Sequence, residues 1–185
     1  MLFRFFALLF LAGSMHAAGF HLTIQNYANV PPHILFKARS EAARVLSTAS
    51  IPIHWGDPSG NGLSSPEIRV NLVTEKMAAK LLKSDASCGK ALPTGSVVWI
   101  DYGCAGKLAQ NPSGERLGQV LGCLIAHEVS HVLLSDHRHD DSGLLRAKWG
   151  KEELSRIARG DLTFQSPDQI HRRVQHWRLW PTAPP

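Results

Sequence analysis

The chain has 185 residues, of which 44% are hydrophobic and 19% charged, with a formal net charge of +5 at pH 7. These values are ordinary for a globular protein with one core and exclude a disordered, repetitive or low-complexity chain. The basic excess gathers toward the end (Arg146, Lys148, Lys151, Arg156, Arg159, Arg172, Arg173, Arg178), but it is scattered along helices and no nucleic-acid motif accompanies it. It reads as a solvated face, and no nucleic-acid partner is expected.

Met1-Leu2-Phe3-Arg4, an apolar stretch over residues 5–11 and small residues over 14–19 read as a secretory signal peptide spanning residues 1–18 and cut near Ala17 or Ala18. The apolar stretch is too short to span a bilayer comfortably. A secreted or periplasmic protein follows, with no stable membrane association once the signal is removed. One domain over residues 19–180 and a proline-rich disordered tail over 181–185 complete the expected organisation.

Alternation over residues 21–30 predicts a first strand. Pro31-Pro32 stops it and opens a helix over 33–48, with Ile34, Leu35, Ala38, Ala42, Val45 and Leu46 as its core stripe. Residues 51–55 form a second short strand, 56–62 a surface loop, and 67–73, which alternate strictly, a third strand. A short helix over 77–82 leads into a Ser/Gly/Cys loop that runs to Gly95, and residues 97–100 are again strand-like. A long apolar helix covers 117–134, and helices over 151–159 and 167–177 close the chain. This order describes an α/β (α+β) fold: a mixed twisted sheet of about four to five strands packed on the long helix of the N-terminal half and on the 117–134 helix, followed by C-terminal helices. Cys88 and Cys104 flank a strand in polar surroundings and could pair in an oxidising compartment, whereas Cys123 reads as a buried thiol.

In the long helix Leu117, Val120, Leu121, Leu124 and Ile125 recur at helical spacing. Gly118, Gly122, Ala126 and Ser130 form a second line of small residues, expected to let the helix lie close on the sheet. The same helix carries His127-Glu128-Val129-Ser130-His131. At helical pitch the two imidazoles are about 40° apart and one turn along, so both can reach one metal ion. Glu128 projects about 100° away, a poor ligand but well placed to touch a water on that ion. This is the H-E-x-x-H pattern of zinc hydrolases, in which the Glu is the general base. Two His and a Glu inside a buried helix are costly unless paired or metal-bound. A catalytic zinc usually has three protein ligands, and three candidates follow the helix: His137, His139 and, on a later helix, Glu152. Ser135-Asp136 makes a better chain turn than Leu133-Leu134, which favours His139; His137 is the alternative third ligand.

The stretch HEVSHVLLSDHRHDDSGLL over residues 127–145 resembles the metzincin metalloproteases, in which a glycine turn after the helix brings in a third His and a later turn carries a Met beneath the metal. The chain as a whole is similar to a group of small exported bacterial metalloprotease-like proteins. Their pattern puts Ser135 at the glycine, His139 at the third His and Ser142-Gly143-Leu144-Leu145 at the Met turn. Leu145 therefore replaces the Met, and Ser135 the Gly. The resemblance implies a secreted zinc metalloendopeptidase with one catalytic Zn2+ held by His127, His131 and His139 (alternatively His137) and Glu128 as catalytic base. A peptide or protein substrate would lie extended along an edge strand, which position in the chain assigns to residues 97–100. The rival reading is a catalytically inactive, zinc-stabilised secreted binding domain that keeps the fold. Leu145 and the missing Gly favour it; the presence of Glu128 opposes it. Nothing in the sequence speaks to oligomeric state.

Overall fold

The structure, a computed structural model, describes residues 19–56, 67–82, 87–110 and 114–178. The expected signal peptide and C-terminal tail, and most of the expected 56–62 loop, lie outside the described residues. Five strands, β1 (Phe20–Asn26), β2 (Ile53–Trp55), β3 (Glu67–Val73), β4 (Gly89–Leu92) and β5 (Val97–Asp101), form a sheet in the order β2-β1-β3-β5-β4. All are parallel except β4, which lies antiparallel to β5 at one edge. The helices are α1 (Pro32–Ser47), α2 (Glu75–Leu81), α3 (Tyr102–Ala109), α4 (Glu115–Leu134), α5 (Lys151–Arg159) and α6 (Pro167–Arg178). The mixed α/β architecture expected from the sequence is the one observed.

Alternation sets the core. Phe20 and Leu22 of β1, Ile68, Val70 and Leu72 of β3, and Val98 and Ile100 of β5 point to one face, where they meet the apolar stripes of α1 and α4. Parallel β1 and β2 need a crossover, and α1 supplies it. On the other face α2 brings Met77 and Ala78, with Leu82 just after it, against Val73 and Trp99. Beyond that patch the outer face is polar; Thr23 Oγ1, for example, donates to Glu67 Oε1 at 2.8 Å.

Every residue of α4 from Val120 to Leu133 is buried. By length and apolar content this helix would suit a membrane crossing, but 89% of that window lies inside the fold. Its small-residue line does not face the sheet as expected. A Cβ on Gly118 would come within 2.6 Å of Lys37 Cβ, and one on Gly122 within 2.6 Å of the Ala38 carbonyl oxygen and Glu41 Cβ. The small residues therefore serve the crossing with α1, because both helices share one face of the sheet. At that crossing the buried Glu41 accepts from Arg44, 2.7 Å from Nη2 and 3.0 Å from Nε, which compensates its burial.

Three features depart from the expectation. The first strand ends at Asn26 because the Asn26 side chain bonds both the N–H and the C=O of Val30, closing a turn through Asn29 at φ 52°. The segment expected to be loop up to Gly95 contains β4, and α3 follows β5, capped by Asp101, whose carboxylate accepts from the N–H groups of Gly103 (2.8 Å) and Cys104 (3.2 Å). Residues 97–100 are therefore not the edge: β5 lies between β3 and β4, and β4 forms the edge on that side, with β2 at the other. The Cys88–Cys104 disulfide ties the start of β4 to α3, and Cys123 is a buried free thiol.

Candidate metal centre

His127 and His131 extend from the last turns of α4 at 7% and 3% exposure. Each ring is fixed by a main-chain carbonyl: His127 Nδ1 donates to Leu144 O at 2.7 Å and His131 Nδ1 to Asp136 O at 3.0 Å. A carbonyl only accepts, so both protons sit on Nδ1 and both Nε2 atoms carry a lone pair. Those two Nε2 atoms face each other at 3.1 Å. Two lone pairs at that distance repel unless a proton or a cation lies between them. Burial opposes the proton: it lowers His127 to about 3 and His131 to about 4, helped by the neighbouring imidazoles. Two imidazole nitrogens on a tetrahedral zinc stand about 3.3 Å apart at the usual Zn–N length, so the spacing suits a metal.

His139 completes the group. One ligating atom each from His127, His131 and His139 lie within 4.8 Å of one another, an arrangement compatible with a metal site. The His139 ring centroid is 5.4 Å from that of His127 and 4.9 Å from that of His131. His137 lines the same cavity, its ring 5.9 Å from His131, but it does not belong to the three-donor group. Glu152 is exposed on α5 and also stands outside that group. The turn that delivers His139 is made at Ser135, in the left-handed region at φ 51°, ψ 34°.

Glu128 is 6% exposed, and burial raises its carboxyl to about 8 against one favourable contact, the N–H of Ala91 in β4. The edge strand lies directly on this side chain: a Cβ on Gly89 would stand 2.7 Å from Glu128 Cγ and Oε1, so a larger residue there would push Glu128 out of place. Around these groups opens a cavity of about 670 Å³, with Leu82, Ala91, Leu108, Leu124 and Trp149 on its apolar walls.

Sequence reasoning missed several supports. Trp149 Nε1 donates at 3.1 Å to Leu144 O, the carbonyl that already orients His127. Asp136, whose carbonyl orients His131, is held through its carboxylate by Arg138 and by Arg173 of α6. Leu145, in the position expected for a Met, is buried at 2% exposure.

No protein-family model matches the chain, and no curated protein matches it. Among solved structures it is similar to a zinc-dependent peptidase from Methanocorpusculum labreanum (strain Z), with a TM-score of 0.57, 84% of this chain and 100% of that chain covered, and 13% identity. The likeness is one of fold.

Proposed function

We propose that this protein is an exported zinc-dependent metallopeptidase of metzincin-like architecture. The observation that carries the reading is the pair of Nε2 lone pairs facing each other at 3.1 Å, with a buried carboxyl on the same helix. The zinc-dependent peptidase with the same fold supports it. His127, His131 and His139 are the residues that would hold the ion, with His137 at the cavity wall. The chemistry a zinc ion would supply there is acidification of water and polarisation of a substrate carbonyl. Glu128 takes the proton from the attacking water and hands it to the leaving amine. Burial keeps its carboxyl up, and a cation held nearby would favour the charged form that a base needs. Leu144 O and Asp136 O hold the two rings of α4 in the tautomer that leaves both Nε2 atoms free to bind a metal. The peptide lies along β4, the open edge of the sheet directly above Glu128.

The test uses zinc-loaded protein and a quenched peptide library with and without chelator. Chelator-sensitive cleavage is expected, and Glu128→Gln should keep stoichiometric zinc while losing at least about a hundredfold in rate. Stoichiometric zinc with no cleavage in the wild type would instead establish the inactive zinc-stabilised binding domain. Equal rates for wild type and Glu128→Gln would remove Glu128 from the chemistry.

A further inference from the structure

β4 and the segment after the His cluster both line the cavity, and the basic side chains they bring to it have one sign: Lys90 in β4, and Arg146 and Lys148 in that segment. Glu128 supplies the single carboxylate among the described residues lining this cavity, and it is buried beneath β4. Arg146 is already engaged, with Nη1 2.9 Å from both carboxylate oxygens of the buried Glu153. Lys90 and Lys148 are exposed, and no hydrogen bond or ion pair engages either ammonium group among the described residues. Asp140 and Asp141 line a separate polar depression.

The register of β4 gives Lys90 a particular relation to an incoming strand. Asp101 N–H donates to Cys88 O at 2.8 Å, so Cys88 and Asp101 are a hydrogen-bonded antiparallel pair. Two residues on, Lys90 opposite Trp99 is again a hydrogen-bonded pair, and the main-chain groups of Lys90 are turned inward to β5. Gly89 and Ala91 therefore turn theirs to the outer edge, where Ala91 N–H reaches Glu128. There Ser87 Oγ donates to Gly89 O and accepts from Gly89 N–H at 3.3 Å, bonds that an added strand would replace. Toward an antiparallel strand added outside β4, Lys90 occupies a non-hydrogen-bonded position. There the opposing Cα atoms come to about 4.5 Å and the side chains stand closest. Gly89 and Ala91 face α4 and are buried, whereas Lys90 is exposed on the other face of the strand. The substrate side chain that meets Lys90 is thus one that points away from the metal.

We infer that the substrates are extended peptides carrying acidic side chains, with Lys90 reading a Glu or Asp at the substrate position directly across from it on the added strand, and Lys148 reading a second from the segment after the His cluster. The inference rests on the peptidase reading and on β4 as the substrate-pairing edge. Opposite charges at a closely spaced cross-strand position attract and like charges repel, so exchanging Glu for Lys in the substrate changes kcat/KM by about three- to tenfold at that position. Added salt shrinks the difference, because both charges are exposed.

The experiment takes zinc-loaded wild type, Lys90→Glu and Lys148→Glu, and sets of peptides identical except for Glu, Gln or Lys at one position around the scissile bond. Expected is a Glu > Gln > Lys order at one or two positions in the wild type. Lys90→Glu should invert the order at one of them and Lys148→Glu at the other. The readout is the Glu-to-Lys ratio within each protein, so a general loss of activity cancels. A flat profile in the wild type, or a profile that Lys90→Glu leaves unchanged, overturns the inference while peptide hydrolysis itself stands. If no peptide is cut, the peptidase reading fails, and the same peptides are titrated by fluorescence anisotropy against zinc-loaded Glu128→Gln. Tighter binding of the Glu peptide there keeps the charge preference; equal binding ends it.

Discussion

The two halves of the histidine cluster are built differently. His127 and His131 stand on a helix buried on every side, one turn apart, each ring locked by a main-chain carbonyl. His139 is exposed on the chain that follows, held by the left-handed turn at Ser135 and by Asp140 N–H donating to Leu145 O at 3.0 Å. The helical half is ordered before any ion arrives, because packing has already met the entropic cost of fixing those rotamers. The loop half depends on a few hydrogen bonds and on the ion pair of Asp136 with Arg173 of α6. What the contrast teaches is that affinity for a metal is concentrated in the helix, and the choice of third ligand in the turn.

The largest effect should come from breaking the helical half. His131→Ala removes one donor and leaves the Asp136 carbonyl without its partner. We expect zinc affinity to fall by more than about a hundredfold, beyond what losing an outer hydrogen-bond partner does, and chelator-sensitive hydrolysis to disappear. Metal analysis after gel filtration and a competition titration measure this. Near-normal zinc retention would mean that the ion, if any, does not sit between residues 127 and 131.

The loop half is probed by His139→Ala beside His137→Ala. The first should weaken zinc binding by about ten- to a hundredfold and the second by less than about threefold. The reverse order would hand the third position to His137.

A third measurement tests the helical half by pH in metal-free protein. His127 and His131 stay neutral in the fold down to about 3 and about 4, against an ordinary value of 6.5. Below pH 6.5 the unfolded chain takes up protons that the folded chain refuses, so stability falls as pH drops from 6.5. Glu128 behaves oppositely: it stays protonated in the fold up to about 8 but ionises near 4.5 when unfolded. Its contribution is therefore lost as pH rises from 4.5 to 8. Thermal melts of chelated protein should show both limbs, and Glu128→Gln should remove the alkaline one. An unchanged alkaline limb in that variant would show that Glu128 is not the buried acid responsible.

The same contrast explains what could be read from the chain. The α4 half was legible because burial imposes helical spacing on Leu117, Val120, Leu121, Leu124 and Ile125, and H-E-x-x-H rides on that period. β3 and α1 were legible for the same reason. β4 was not: its inward residues are Gly89 and Ala91, and the space above Glu128 keeps Gly89 small, so the strand lacks the apolar alternation that marks β3. For the same reason residues 97–100, a clear strand, read from the sequence as the edge although β4 lies outside them. α3 did carry a signal in Asp101, a capping residue directly before it. Trp149 and Arg173 left none, because they act on carbonyls or on a distant side chain, and their partners are set by the fold. The small-residue line of α4 says only that something comes close, and topology decides that it is α1 rather than the sheet.

The smallest expected effect lies at the joint between the two halves. Ser135 ends α4 at φ 51°, ψ 34°, with its N–H on Val132 O at 3.2 Å and the next N–H, of Asp136, on His131 O at 3.3 Å. This left-handed helix cap is most easily made by glycine, and a residue with a Cβ gives up about 1 kcal/mol to adopt it. Ser135→Gly relieves that strain but also frees the unfolded chain, so the net gain should be about 0.5 kcal/mol, or about 1–2 °C in Tm for a chain of this size. Ser135→Val, β-branched at positive φ, should lose more than the glycine gains. If the turn delivers the third ligand, zinc affinity follows the same order: Gly at least equal to Ser, and Val weaker. Melts of metal-free protein and zinc competition on the three proteins test both. Wild-type affinity in the Ser135→Val variant would show that the loop half takes its position from elsewhere in the fold, and the division between a preset helix and a dependent turn would have to be given up.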